Sequence, residues 1–178
     1  MAISILRAAL FAASCFVVSN VHAQATATPQ AEPAVAEAPK EMLVYDTALA
    51  PDWQNWSWAK ADLSIELNGS PRKPIRVVAG PWQALYLHHD PFSTAGMSKL
   101  SLLIQGSAPD GEVRILALID GKPVGEGKLL KLSNTGWTQV VVPLVTLGVE
   151  DQTINGLWVQ NATGTDLPKF YVTEIKIH

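Results

Sequence analysis

From Met42 onward, apolar residues come in short alternating runs cut by Gly, Pro, Asn and Asp. No helical period is sustained over about a dozen residues. A strand sends successive side chains to opposite faces, so this texture restricts the chain to many short strands joined by turns. The strands expected are Leu43–Asp46, Trp56–Ala59, Leu63–Leu67, Ile75–Val78, Ala84–His88, Lys99–Gln105, Glu112–Ile119, Lys128–Leu132, Thr138–Pro143, Ile154–Gln160 and Lys169–Ile177. Turns are expected at Asn68–Pro71, Pro109–Gly111, Asp120–Pro123, Asn134–Gly136 and Asn161–Gly164. About ten strands in a chain of this length, with no internal repeat, fit an all-β fold. The expectation is a two-sheet jelly-roll β-sandwich over residues 42–178.

Two segments precede it. Residues 1–23 carry a basic start at Arg7, an apolar run from Ala8 to Val18, and the small-x-small ending Val21-His22-Ala23. That is the pattern of a signal peptide cut after Ala23, and the protein is expected to be secreted or periplasmic. The apolar run falls short of the roughly 20 residues that span a bilayer, and no membrane span is expected. Cys15, the single cysteine, lies inside this leader. Ala12–Cys15 loosely resembles a lipoprotein cleavage box, but Ala stands where Leu is usual and the apolar run continues through Val18, which favours simple cleavage over lipid anchoring. Residues 24–41 are rich in Ala, Pro and Glu and hold no aromatic residue. Such a segment buries too little apolar surface to offset its ordering entropy, and a flexible spacer is expected.

The formal net charge is −3, one unit lower once Arg7 leaves with the leader. There is no basic cluster. Nucleic-acid binding depends on Lys and Arg contacts to phosphate, which excludes it as a function here. Without a mature cysteine there is no disulfide and no thiolate ligand.

The strand faces carry the functional signal. In Ala84–His88, Leu85 and Leu87 share the face expected to be core. Tyr86 and His88 share the other, with Ala84 and the preceding Trp82. In Ile154–Gln160, Leu157 and Val159 oppose Trp158 and Gln160. Trp56 and Trp58 share a face. Leu100, Leu102 and Ile104 oppose Ser101, Leu103 and Gln105. Aromatic residues on a solvent face point to a binding surface. A pyranose ring has an apolar C–H face that stacks on flat rings, and its hydroxyls need donors and acceptors. The expected ligand is a polysaccharide or oligosaccharide, stacked on Trp82, Tyr86 and Trp158 with Trp58 nearby. His88, Gln105, Gln160 and Asn161 are expected to orient its hydroxyls. Two or three stacks would give affinity in about the micromolar to millimolar range.

Other readings of the same residues remain. Trp137 fits packing at the sandwich edge, and Trp53 and Trp56 fit either a cap on the core or the binding face. A protein partner or a second copy of the chain could cover the aromatic face instead of sugar, as in a structural module of the periplasm or cell surface. His88 and His89, adjacent on a strand, point to opposite faces and cannot chelate one ion. Catalysis is not expected. Glycoside hydrolysis needs two carboxylates about 5–9 Å apart, and most of the acids lie in turn-like segments; Glu66 has no identifiable partner. No nucleophile elbow, phosphate loop or zinc helix is present. The three glycosylation-type sequons at Asn55, Asn68 and Asn161 are taken as chance matches.

The run from Val44 to Trp58, with Tyr45-Asp46 and Trp56-Ser57-Trp58, resembles the opening of secreted bacterial carbohydrate-binding-module domains of the galactose-binding-like type. Trp82–Asp90, Trp137–Leu144 and Phe170–Ile175 continue the resemblance over essentially the whole expected fold. It implies a jelly roll with sugar bound on a concave face or rim loops. It also implies a structural calcium held by acids near the first and last strands. Thr47 and Thr173 stand where that pattern has Asp, which leaves Asp46 and Glu174 as the candidate ligands. Calcium takes six or more oxygens. No other cofactor is expected.

Overall fold

The computed structural model describes residues 40–178. The expected leader and nearly all of the expected spacer lie outside these residues. The strands are β1 (Met42–Tyr45), β2 (Gln54–Asn55), β3 (Lys60–Asp62), β4 (Ile75–Ala79), β5 (Ala84–Ser93), β6 (Lys99–Gly106), β7 (Glu112–Ile119), β8 (Lys122–Pro123), β9 (Lys128–Lys131), β10 (Thr138–Pro143), β11 (Thr153–Asn161) and β12 (Leu167–Ile177). One 3₁₀ turn, Leu144–Leu147, follows β10. Among the described residues no helix is long and apolar enough to cross a membrane.

The strands form two antiparallel sheets. One runs β10-β6-β12-β4-β3, with β1 also on β12; the other runs β2-β5-β11-β7-β8, with β9 also on β7. The expected β-sandwich is what forms. The alternation read from the sequence decides which residues meet between the sheets. Leu85, Leu87, Leu157 and Val159 of the second sheet face Leu100, Leu102, Ile104 and Val172 of the first, all in one buried cluster. Each such side chain contributes about 1.5–3 kcal/mol by leaving water. The void between them is only ≈ 10 Å³, at the lower limit for one water. A ligand has to bind outside.

Two expected strands are replaced by irregular chain, each for a local reason. In Trp56–Ala59 the hydroxyl of Ser57 takes the bond from the Tyr86 N–H at 2.9 Å, in place of a backbone carbonyl. Asn55 Oδ1 holds Ser57 by its N–H and hydroxyl. The segment still follows β5, through Trp56 N–H to Tyr86 O and Ala59 N–H to Ala84 O. In Leu63–Leu67, Ser64 adopts φ +56°, and its N–H is taken by the buried Tyr45 hydroxyl at 2.9 Å. That side-chain bond competes with a ladder, and pairing stops at Asp62.

Candidate functional site

The outer face of the second sheet is built by β5 and β11. Their register places Tyr86 opposite Trp158 and His88 opposite Gly156. β7 adds Leu116 beside Trp158 and Leu118 beside Gly156. Gly156 matters because a Cβ there would lie 2.6 Å from Tyr86 Cε2. The tyrosine ring crosses the bare backbone of its neighbour strand, so it sinks to 9% exposure. Burial pushes the Tyr86 phenol pKa up from its ordinary value.

Over this base the aromatic rings touch in sequence. Trp56 stacks on His88 with centroids 3.6 Å apart and planes 1° from parallel. The edge-on contacts are Trp56 to Tyr86 at 5.8 Å, Tyr86 to Trp158 at 5.9 Å and Trp158 to Trp58 at 4.8 Å. Such pairs contribute about 0.5–1.5 kcal/mol each beyond area burial. The result has two layers. Tyr86, His88 and Trp158 form a supporting layer. Trp56 and Trp58 lie over it, 53% and 42% exposed. Gln54 Oε1 accepts from the Trp56 indole N–H at 2.8 Å and fixes that ring. Trp158 Nε1 and His88 Nδ1 are buried without a protein partner. Buried polar atoms are ordinarily bonded, so this face has unmet hydrogen-bonding capacity beneath its exposed rings.

Trp82 lies on the turn between β4 and β5. Gln83 N–H bonds Gly80 O at 3.1 Å, and Trp82 adopts φ +62°. For a bulky side chain that is a strained conformation, costing about 1–3 kcal/mol. The surroundings enforce it. Gln160 Nε2 donates to Trp82 O at 2.9 Å. Gln83 Oε1 accepts from Gly80 N–H at 2.9 Å. Asn161 N–H bonds Gln83 O at 2.8 Å. The turn holds the Trp82 side chain 55% exposed.

Of the residues expected to bind sugar, Trp58, Tyr86, His88 and Trp158 are brought together, with Trp82 on the adjoining turn. Tyr86 is buried across Gly156 and supports the exposed layer, while Trp158 is half-buried beneath Trp58. Asn161 is fully buried. Its Nδ2 donates to Gly80 O at 2.9 Å and Thr165 O at 2.8 Å, and its Oδ1 accepts from Thr163 N–H at 2.9 Å. It has no capacity left for a ligand, and its place is in the scaffold. Gln105 pairs with Tyr171 of β12 and so belongs to the first sheet, away from Trp158. Alternation assigns a residue to a face of its strand but not its strand to a sheet. Trp56 is the reverse case: it is an exposed ring of this face, not a cap on the core. The Trp-x-Trp spacing was the available signal.

His88 packs on Trp56, whereas His89 packs on the buried Trp53 at 5.0 Å, so the pair does diverge. Among the described residues no three His, Cys, Asp or Glu side chains group as metal ligands. Asp46 and Glu174 do share a shallow pocket with Thr47 and Arg72. The Arg72 Nε donates to Glu174 Oε1 at 2.8 Å, and Asp46 O accepts from Thr173 Oγ1 at 2.6 Å. A guanidinium beside one carboxylate and a committed carbonyl do not fit the oxygen cage calcium requires.

No family model and no curated protein matches the chain. Solved structures do. The family 29 carbohydrate-binding module from Piromyces equi superposes with TM-score 0.56, at 16% identity, over 78% of this chain and 89% of that one. A family 29 variant complexed with cellulohexaose gives TM-score 0.57 at 15% identity, over 78% and 89%. Another variant, made to probe ligand recognition, gives 0.58 at 13%, over 78% and 91%. The chain has the fold of these modules.

Proposed function

We propose that this protein is a non-catalytic carbohydrate-binding module that stacks sugar rings on Trp56, Trp58 and Trp82. The observation that carries this reading is the two-layered aromatic face. Exposed indoles are held in fixed orientations by rings and hydrogen bonds beneath them. Rigid, flat, amphipathic surfaces lose little entropy on binding and match the C–H face of a pyranose. The fold shared with family 29 modules supports the same reading. Non-catalysis is supported by the cleft beside Trp58, where Asp166 is the one carboxylate in the lining. Hydrolysis would need a second carboxylate across the bond. The leader expected at residues 1–23 supports export.

Pull-down on insoluble polysaccharides tests the proposal. Native protein is expected to be retained, and Trp56→Ala/Trp58→Ala to pass through while still folded, with a cooperative melt at a lower temperature because three ring contacts are lost. Absence of retention on every polysaccharide, with a concentration-dependent dimer in solution, would instead assign the face to a second copy of the chain.

A further inference from the structure

The aromatic strip ends at Trp58, but the surface does not close there. Beyond it lies an open cleft of ≈ 660 Å³, lined by Trp58, Lys60, Gly80, Pro81, Gln83 and Asp166 among others. Its two sides hang from one buried side chain. Asn161 Nδ2 binds Ala79 O and Gly80 O on the turn side, and Thr165 O, next to Asp166, on the other. Asn161 Oδ1 also holds Thr163 by its N–H and hydroxyl. The cleft is therefore preformed, with little left to order on binding.

Its chemistry is mixed in a definite way. Trp58 gives an apolar wall. Gln83 Oε1 is occupied by the Gly80 N–H, leaving its amide N–H groups to donate. The Lys60 ammonium donates and the Asp166 carboxylate accepts; neither is in an ion pair among the described residues. Gly80 keeps the space clear, since a Cβ there would sit 3.3 Å from Gln83 Oε1 and 3.5 Å from Asp166 Oδ1. One cation facing one anion favours a neutral polyol over a uronate or an amino sugar.

We propose that this cleft is a second subsite, which takes one further neutral pyranose unit as a polysaccharide chain passes beyond Trp58. It rests on the sugar-binding reading of the aromatic face. Asp166, Lys60 and Gln83 hold the hydroxyls of that unit, and Asn161 is a positioning residue that fixes the two sides. The signature is a dependence of affinity on ligand length.

Calorimetric titration with β-1,4-linked tri- and hexasaccharides of glucose, mannose and xylose tests this. With at least one sugar, native protein should bind the hexasaccharide about tenfold more tightly than the trisaccharide. Asp166→Ala and Lys60→Ala, both at exposed positions, should remove that gain and leave trisaccharide affinity as it was. Equal affinity for both lengths, or a gain that survives both substitutions, overturns the second subsite and leaves the aromatic face standing. So does an equal loss for both lengths. No binding of any of these sugars by native protein overturns both.

Discussion

The two sheets share one core and one strand pleat, yet their outer faces are opposites. On the first sheet the outward side chains include Arg76, Ser101, Gln105, Gln139 and Lys176. Three ion pairs lie there: Arg76 with Asp62 at 2.7 Å, Arg72 with Glu174 at 2.8 Å and Lys176 with Glu41 at 3.0 Å. All are partly exposed, and such pairs contribute about 0–1 kcal/mol each. This is a solvated surface with no cluster of aromatic rings among the described residues. On the second sheet the outward rings are partly exposed, two buried nitrogens lack protein partners, and a bulky residue is held in a strained turn. Folding requires only that the inner faces be apolar. The departure of one outer face from ordinary polar composition is what marks it as a working surface.

Substitutions can break that contrast. The largest effect should come from Asn161→Ala. It leaves the backbone groups of Ala79, Gly80, Thr163 and Thr165, buried or part-buried, without their side-chain partner, at about 3 kcal/mol in total, read as a lower denaturation midpoint. Next come Trp56→Ala and Trp58→Ala, each weakening sugar binding by about 1–3 kcal/mol by analogy with nucleobase stacking. Gln105→Ala, on the first sheet, should leave affinity unchanged in the same titration. Trp82→Gly should weaken binding yet raise stability by about 0.5–1 kcal/mol, because glycine accepts positive φ freely and its added chain entropy offsets part of the relief. Thermal melts beside the titration separate the two effects. The smallest effect should be Arg76→Ala, which breaks a half-exposed ion pair and costs at most about 1 kcal/mol, with no change in binding.

Much of this was legible in the residues. The alternation in Ala84–His88 and Ile154–Gln160 separated Leu85, Leu87, Leu157 and Val159 from Tyr86, His88, Trp158 and Gln160, and the sandwich keeps that division. Three things were not legible. Which sheet a strand joins depends on long-range pairing, so Gln105 was grouped with rings it never meets. Side-chain bonds displaced two ladders, at Ser57 and Ser64, where local composition still read as strand. The depth of a ring depends on its neighbour: Gly156 lets Tyr86 sink, and Trp58 covers Trp158, so the exposed layer passed to Trp56 and Trp58. Asn161 looks like a sugar ligand by residue type, and only its five side-chain hydrogen bonds reveal a scaffold role.

The central claim is that indoles of the second sheet's outer face meet the sugar. It is tested most directly by following the indole N–H resonances while titrating a polysaccharide fragment that the protein retains. Trp56, Trp58, Trp82 and Trp158 should shift together and saturably. Trp53, buried against His89, and Trp137, beside Arg72, should stay fixed. Binding that moves none of the first four, or moves Trp137 instead, would contradict the account.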